Sequence, residues 1–186
     1  MKTRQPLTLA AIAMLAISTT GSLAQQKQSI RDRAVGTWKL LSWETVRSDG
    51  EALNIIMGPH PTGLIIYHPN GYMAVQVMHD PRPTFAKSGL TATRDELGNA
   101  YFGYYAYWGT YTINEAESTV EHNIQNSLRP EEVGLKFKRS LLFDGTKLVL
   151  TTPPFKAGPG FRERLGHAEI RDDEEVVNRL TWERIE

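Results

Sequence analysis

One segment of the chain combines a histidine with a regular alternation of apolar and polar residues. Five residues share one face of the strand that this alternation predicts: Val120, His122, Ile124, Asn126 and Leu128. Because this face is the more apolar one, we expect it to point into the protein. A buried neutral imidazole makes His122 the candidate catalytic residue, as a general acid or base near pH 7, or a hydrogen-bonding partner for a ligand. A histidine satisfied by a neighbouring side chain, without a functional role, is an equally open interpretation.

Two charged residues fall on the predicted inner faces of other strands. Glu44 shares the face of Trp38, and Arg139 shares the face of Phe137. Buried charges are costly unless they are paired, so these two would pair with each other, with His122 or with an anionic ligand. The sequence thus predicts a polar cluster of Glu44, His122 and Arg139. The alternative is that Glu44 lies in water at the strand end and that Arg139 faces solvent.

A tyrosine-rich segment adds aromatic surface. Tyr105, Tyr107 and Tyr111 alternate onto one face of the predicted strand, and Trp108 falls on the other. Aromatic side chains with polar tips suit a pocket for a flat or cyclic ligand, and a tyrosine hydroxyl near His122 could stabilise an enolate. Ordinary packing of the interior is the alternative. The candidate ligand-binding residues are Glu44, Tyr105, Tyr107, Tyr111, His122, Asn126 and Arg139.

Other chemical signatures do not occur in the sequence. The five histidines show no metal-ligand spacing, the chain has no cysteine, and it has no nucleophile elbow, phosphate loop or dinucleotide fingerprint. We therefore expect no metal and no cofactor. The 21 basic and 21 acidic residues balance to a net charge of zero, without a basic stripe. This argues against nucleic acid as a partner.

Eight segments with the alternation of strands must position these residues. They span 35–46, 63–68, 72–78, 104–113, 119–128, 135–143, 147–152 and 176–185. The pair Asn70-Gly71 is typical of a tight hairpin turn. One helix is predicted from Arg94 to about Phe102, with Thr93 as its cap.

Eight sequential strands with short turns predict an all-β fold, an eight-stranded antiparallel up-and-down barrel with one short helix. Closure of the barrel removes exposed sheet edges. An eight-stranded barrel either fills with side chains or holds one small ligand. An open sandwich is the alternative architecture.

The N-terminus has the pattern of a signal peptide. A basic start precedes an uncharged apolar run of about 11 residues, and Ser22 and Ala24 match a signal-peptidase site. The apolar run is too short to span a bilayer. We expect residues 1–24 to be removed, 25–33 to form a flexible leader and 34–186 to form the barrel domain. The mature protein would be periplasmic or secreted, without membrane insertion after cleavage.

Two motifs and several longer segments resemble a known family. GTW at 36–38 resembles the G-x-W opening of lipocalins and related calycin barrels, and LTWER at 180–184 resembles their late arginine. In order, these segments resemble the lipocalin-like domain family of bacteria and fungi: VGTWKLLSWE, GPHPTGLIIYHPNGYMAVQVM, RPTFA, YYAYWGTYTIN, VEHNIQNSL, LVLTTPP and LTWERI. The resemblance covers about Ala34 to the end. Residues 155–175 depart from it, since they are longer and more charged than the family pattern.

The resemblance implies a lipocalin-like barrel whose base is closed by Gly36, Trp38 and Arg184, with the arginine packed over the tryptophan. Most members of the family have no assigned activity. Barrels of this architecture include carriers of small apolar molecules and also isomerases and cyclases, so the fold alone does not choose a function.

Three functions follow from these patterns. The first is an exported protein that binds a small hydrophobic or amphipathic molecule in the barrel. The second is a cofactor-independent isomerase, cyclase or lyase that uses His122, because such chemistry needs only a base, a donor and a dry pocket. The third is a structural envelope protein with a filled barrel.

Overall fold

The computed structural model describes residues 28–158, 170–171 and 173–185, so the predicted signal segment 1–24 lies outside the described residues. Within these ranges the chain forms two α-helices and ten strands. They are α1 (Ile30–Ala34), β1 (Gly36–Arg47), β2 (Ala52–Leu53), β3 (Thr62–Tyr67), β4 (Tyr72–Met78), α2 (Arg94–Phe102), β5 (Tyr104–Asn114), β6 (Thr119–Ser127), β7 (Lys136–Asp144), β8 (Lys147–Thr151), β9 (Phe155–Lys156) and β10 (Glu175–Ile185). Single 3-10 turns lie at Gly89–Thr91 and Pro130–Glu132.

Eight of the strands form a closed antiparallel barrel in the order β1-β3-β4-β5-β6-β7-β8-β10. The barrel closes because β10 pairs with β1 from Thr37 to Arg47. The two-residue strands β2 and β9 pair with β1 and β10, respectively, at one end of the barrel. This confirms the predicted up-and-down barrel and excludes the open sandwich, and the long strands match the predicted segments to within one or two residues.

The interior of the barrel follows the alternation of the strands. In β4, Met73, Val75 and Val77 are buried, while Ala74 and Gln76 between them are exposed. Burial of the apolar set provides the main driving force for folding, since the chain has no disulfide. A second, smaller core joins the loop after β2 to the segment around β9 and β10, through Ile55, Ala157, Ile170 and Val176.

Two β-bulges interrupt the alternation. The pairing of β1 with β10 shifts between Leu40 and Ser42, and the pairing of β5 with β6 shifts between Trp108 and Gly109. An extra residue in one strand moves every following side chain to the opposite face. A Cβ atom at Gly109 would overlap the carbonyl oxygen of Asn123, so the bulge requires a glycine there.

Helix α1 overlaps the segment 25–33 that the sequence assigned to a flexible leader, and it ends one residue beyond it, at Ala34. Ser29 caps this helix by accepting a hydrogen bond from the Asp32 amide. The first two helical amides donate to the Glu115 carboxylate at 3.0 and 2.9 Å. Residues 30–33 are therefore ordered by a cap and a long-range carboxylate, which a purely local pattern does not reveal.

Helix α2 has the bounds and the cap that the sequence predicts. Thr93 accepts a hydrogen bond from the Glu96 amide, and the Glu96 carboxylate accepts one from the Thr93 amide at 2.7 Å. The hydrogen bond from the Ala86 amide, followed by those from the Thr93 amide and hydroxyl, lowers the pKa of Glu96.

No helix in the described part of the chain is long and apolar enough to cross a membrane.

Candidate functional site

A cavity of about 610 Å³ occupies the interior of the barrel. This volume lies within the range of small-molecule sites. Its wall is mostly apolar and aromatic, with contributions from Trp43, Ile65, Val75, Val77, Phe137, Leu150, Leu180 and Trp182. We call this cavity the lumen. Its polar groups decide what chemistry it can support.

His122 lies in the lumen wall. Its side chain is 1% exposed, and both ring nitrogens have tyrosine partners. The Tyr67 hydroxyl lies 2.7 Å from Nε2, and the Tyr107 hydroxyl lies 2.8 Å from Nδ1. These three residues form a triad that joins β3, β5 and β6. We refer to it as the Tyr–His–Tyr triad.

The tautomer of His122 determines which tyrosine hydroxyl has a hydrogen left to donate. A neutral imidazole has one N–H and one acceptor nitrogen, so two hydrogen bonds use two of the three available hydrogens. If Nε2 carried the proton, the spare hydrogen would belong to Tyr67, whose hydroxyl has no other partner in the described part of the chain. Leaving such a buried donor unpaired costs about 1–3 kcal/mol.

In the other tautomer the spare hydrogen moves to Tyr107. Tyr67 then donates to Nε2, and Nδ1–H donates to the oxygen of Tyr107. The spare hydrogen belongs to Tyr107, which lines the lumen, whereas Tyr67 does not. With the imidazole proton on Nδ1, the spare hydroxyl hydrogen of the triad thus belongs to a residue of the cavity wall.

Burial keeps the triad uncharged at neutral pH. Desolvation, with a smaller contribution from the nearby Arg139 charge, lowers the pKa of His122 to about 3. Desolvation raises the pKa of Tyr107 to about 12, although Arg139 opposes this rise. A histidine with so low a pKa is a weak proton acceptor at pH 7, so the geometry disfavours His122 as a general base.

Arg139 lies on the inner face of β7 with Phe137 and Leu141, and it is half-buried at the lumen. Its guanidinium donates to the Lys138 carbonyl at 2.8 Å and lies 5.3 Å from the centre of the Phe137 ring. No carboxylate of the described residues forms an ion pair with it. Arg139 is thus a cation at the lumen without a counterion in the described structure.

Glu44 is not part of this site, and the predicted cluster of Glu44, His122 and Arg139 is wrong. The bulge at Leu41 reverses the alternation of β1, so Trp43 and Thr45 point inward in place of Glu44. Glu44 instead accepts a hydrogen bond from Arg179 on β10 at 2.9 Å.

Asn126 is also outside the barrel, for the same reason. The bulge at Gln125 turns Asn126 outward, opposite Trp108, whose side chain is 46% exposed. Both residues border a groove on the outer surface together with Leu128.

The other predicted tyrosines are buried but differ in role. Tyr105 lines the lumen, and its hydroxyl donates to the Glu132 carboxylate at 3.2 Å. Burial raises the pKa of Tyr105 above its ordinary value. Tyr111 does not line the lumen; it packs edge-on against Tyr67 and donates to the His68 carbonyl at 3.0 Å.

Two tryptophans that the sequence interpretation missed also line the lumen. The indole nitrogens of Trp43 and Trp182 are buried and have no hydrogen-bond partner among the described residues. Trp43 falls on the inner face only because of the bulge at Leu41. The apolar doublet Leu40-Leu41, which breaks the alternation, is the signal that could have revealed it.

The end of the barrel opposite the lumen contains Gly36, Trp38 and Arg184. Together with α1, we call these residues the barrel base. The Arg184 guanidinium lies 4.2 Å from the Trp38 ring and donates to the Val35 carbonyl at 2.8 Å. Gly36 has a φ of +140°, and a Cβ atom there would overlap the guanidinium. The Trp38 indole donates to the Ala34 carbonyl at 2.8 Å.

The described residues contain no group of three or more histidine, aspartate or glutamate side chains placed to hold a metal ion.

A family model for the lipocalin-like domain matches residues 35–185. No curated protein matches the chain. Among solved structures, it is similar to a redesigned beta barrel, b11L5F_LGL, with 14% identity and a TM-score of 0.38, covering 86% of this chain and 100% of that one. It is also similar to EF1p2_mFAP2b bound to DFHBI, with 14% identity and a TM-score of 0.37, covering 82% of this chain and 94% of that one.

Proposed function

This chain belongs to the lipocalin-like domain family, and we propose that it binds a small hydrophobic or amphipathic molecule in the lumen. The observation that carries the proposal is the cavity of about 610 Å³, with an apolar and aromatic wall and a few polar groups. Pockets of this size and composition are typical of small-molecule sites, where apolar area supplies affinity and polar groups set orientation.

Two features of the lumen weigh against the other functions that the sequence left open. A barrel filled with side chains would not leave a cavity of this volume. The pKa of His122, lowered to about 3 by burial, makes the imidazole a poor base for an isomerase or a cyclase. We therefore assign His122 a positioning role, in which it holds the Tyr107 hydroxyl toward the ligand.

The proposal is tested by titrating the purified protein with the fluorophore 4-(1-pyrenyl)butanol, which is apolar and neutral. We expect one molecule to bind per chain. Val75 lines the lumen and pairs with Tyr107 on the neighbouring strand β5. Val75→Trp should therefore fill space in the lumen and weaken binding by about tenfold or more.

The matched control is Ala74→Trp, because Ala74 is the neighbouring residue of β4 and points outward. This variant should bind the fluorophore as the wild type does. Binding that is lost in Ala74→Trp and kept in Val75→Trp would place the ligand in the outer groove and refute the proposal. Circular dichroism of both variants verifies that they fold.

We also propose that the protein works outside the cytoplasm, in the periplasm or after secretion, on the basis of the N-terminal pattern ending at Ala24. The intact mass of the protein recovered from the exported fraction should lack residues 1–24. A full-length mass confined to the cytosolic fraction would contradict export.

A further inference from the structure

We propose that the lumen selects a lipophilic carboxylate, whose oxyanion is bound by Arg139 and by the hydroxyl of Tyr107. This inference rests on the proposed function, because it names the class of molecule that the lumen takes. It follows from the charges of the wall, from its hydrogen-bond donors and from their positions.

The charges at the lumen have one sign. Arg129, Arg139 and Lys156 line the cavity, and no acidic side chain of the described residues does. Arg129 has a counterion, since it lies 3.5 Å from Glu132. Among the described residues, the half-buried Arg139 has a backbone carbonyl and an aromatic ring as partners and no carboxylate. A half-buried cation without a partner favours an anion in the space that it borders.

The free hydrogen-bonding groups of the wall are donors. Tyr107 offers a hydroxyl hydrogen when the imidazole proton is on Nδ1. Trp43 and Trp182 each carry an indole N–H that has no partner among the described residues, although both nitrogens are covered by protein atoms. The wall's side-chain acceptors are already engaged, since Asn178 accepts from Thr45 and Thr152 accepts from the Asn178 amide. A ligand with oxygen acceptors satisfies these donors, whereas a ligand that is itself a donor does not.

Arg139 and Tyr107 border the same part of the lumen. Both lie beside Phe137, whose ring centre is 5.3 Å from the Arg139 guanidinium and 5.7 Å from the Tyr107 ring centre. The positive charge of Arg139 also lowers the pKa of Tyr107 against the effect of burial, so its field reaches that hydroxyl. Charge-assisted bonds to a carboxylate are stronger than bonds to a neutral oxygen.

The rest of the wall suits a lipophilic body. Ile65, Val77, Leu150 and Leu180 contribute aliphatic surface. A molecule with one carboxylate and a ring or chain of moderate size would therefore satisfy both parts of the lumen. A fully polar anion would leave this surface in contact with water.

The test compares 4-(1-pyrenyl)butanoate with 4-(1-pyrenyl)butanol at pH 7.5, where the acid is ionised. The two probes share the pyrene and the chain and differ in the head group. We expect the wild type to bind the butanoate about tenfold more tightly than the butanol. Arg139→Gln should reduce this preference to about twofold by weakening the butanoate alone. Tyr107→Phe should reduce it in the same direction by a smaller factor.

Lys138→Gln is the matched control, because Lys138 is the adjacent residue on β7 and its ammonium pairs with Glu117 on the outside. It removes the same charge and should keep the wild-type preference. Equal affinity of the wild type for both probes would overturn the proposal and leave lumen binding intact. Failure of both probes to bind would refute the proposed function itself.

The result does not depend on one variant folding. The wild-type ratio of the two affinities alone can contradict the proposal. If Arg139→Gln fails to fold, Arg139→Met keeps the aliphatic stem beside Phe137 and should show the same loss of preference. A preference that survives in a folded Arg139→Met would show that another group binds the carboxylate.

Discussion

The base and the lumen use the same residue types in different ways. At the base, the chain satisfies its own donors: Arg184 donates to the carbonyl of Val35, and the Trp38 indole donates to the carbonyl of Ala34. Arg184 also covers the Trp38 ring at 4.2 Å. Each group has a partner within the protein, so the base is built for stability.

In the lumen, the tryptophans lack such partners, since the indoles of Trp43 and Trp182 have no acceptor among the described residues. Arg139 donates to a backbone carbonyl as Arg184 does, but it borders the cavity and its guanidinium lies farther from the nearest ring centre, at 5.3 Å. Unsatisfied buried donors reduce stability, and proteins keep them where a ligand or a reaction uses them. The difference indicates that stability is concentrated at the base and recognition in the lumen.

The largest expected difference between the two regions comes from truncating a tryptophan in each. Trp38→Ala should lower the free energy of unfolding by about 3–5 kcal/mol, because it opens a cavity in the packed base. Trp43→Ala only enlarges an existing cavity and removes an unpaired donor, so it should cost at least about 1 kcal/mol less. Urea unfolding of both variants measures this, and equal losses would contradict the distinction.

The pH dependence of stability tests whether His122 stays uncharged in the folded protein. Its pKa is about 3 in the folded protein and about 6.5 when unfolded, so above pH 6.5 neither state binds the proton. As the pH falls from 6.5 toward 3, only the unfolded state binds it, and stability is lost. Between pH 6.5 and 5 the wild type should lose about 1.7 kcal/mol more than His122→Gln, since the full slope is about 1.4 kcal/mol per pH unit and the unfolded histidine is half protonated at pH 6.5.

Denaturant unfolding at the two pH values measures that loss. In the folded protein, the pKa values of Glu96, Glu117 and Glu174 are lowered, so these carboxyl groups titrate below the pH range of the measurement. The groups that face His122 are Tyr67, Tyr107 and Arg139, and burial raises the pKa of both tyrosines, which moves their titration away from this range. Equal slopes for wild type and variant would show that the imidazole is accessible to protons in the folded state.

The two arginines should respond differently to the loss of their charge. Arg184→Gln should lower the free energy of unfolding by about 1–2 kcal/mol, through loss of the cation–π contact and the carbonyl bonds, reduced by solvent exposure. Arg139→Gln should change it by less than about 0.5 kcal/mol, because its hydrogen bond among the described residues goes to the carbonyl of the adjacent Lys138 and its ring contact is longer, at 5.3 Å. Thermal unfolding reports both, and a costly Arg139→Gln would indicate a structural role for Arg139.

The smallest contrast concerns single N–H groups. Trp38→Phe leaves the Ala34 carbonyl without its donor, whereas Trp182→Phe removes a donor that has no partner among the described residues. The first substitution should therefore cost about 1 kcal/mol more than the second. A Trp182→Phe variant that is the more costly of the two would mean that the Trp182 indole has a partner in solution.

The sequence predicts the architecture because alternation within each strand is a direct consequence of backbone geometry. The same rule places Tyr105, Tyr107 and His122 inside the barrel, where the structure has them; their roles in binding stay predictions. It fails for Glu44 and Asn126, since each follows a bulge that reverses the alternation.

The bulges leave only weak marks in the sequence. One is the doublet Leu40-Leu41, and the other is Gly109, a glycine inside a strand where the partner backbone approaches closely. The Tyr67 partner of His122 could not be predicted, because contacts across a barrel depend on the relative stagger of strands that are distant in sequence.

The most direct test of the difference between base and lumen uses the four tryptophans as reporters. We would follow the indole N–H signals by ¹H–¹⁵N NMR while adding 4-(1-pyrenyl)butanoate. We predict that the signals of Trp43 and Trp182 in the lumen shift until the protein is saturated. The signals of Trp38 in the base and Trp108 on the outside should stay in place. A shift confined to Trp108, or saturation without any shift of Trp43 and Trp182, would contradict binding in the lumen.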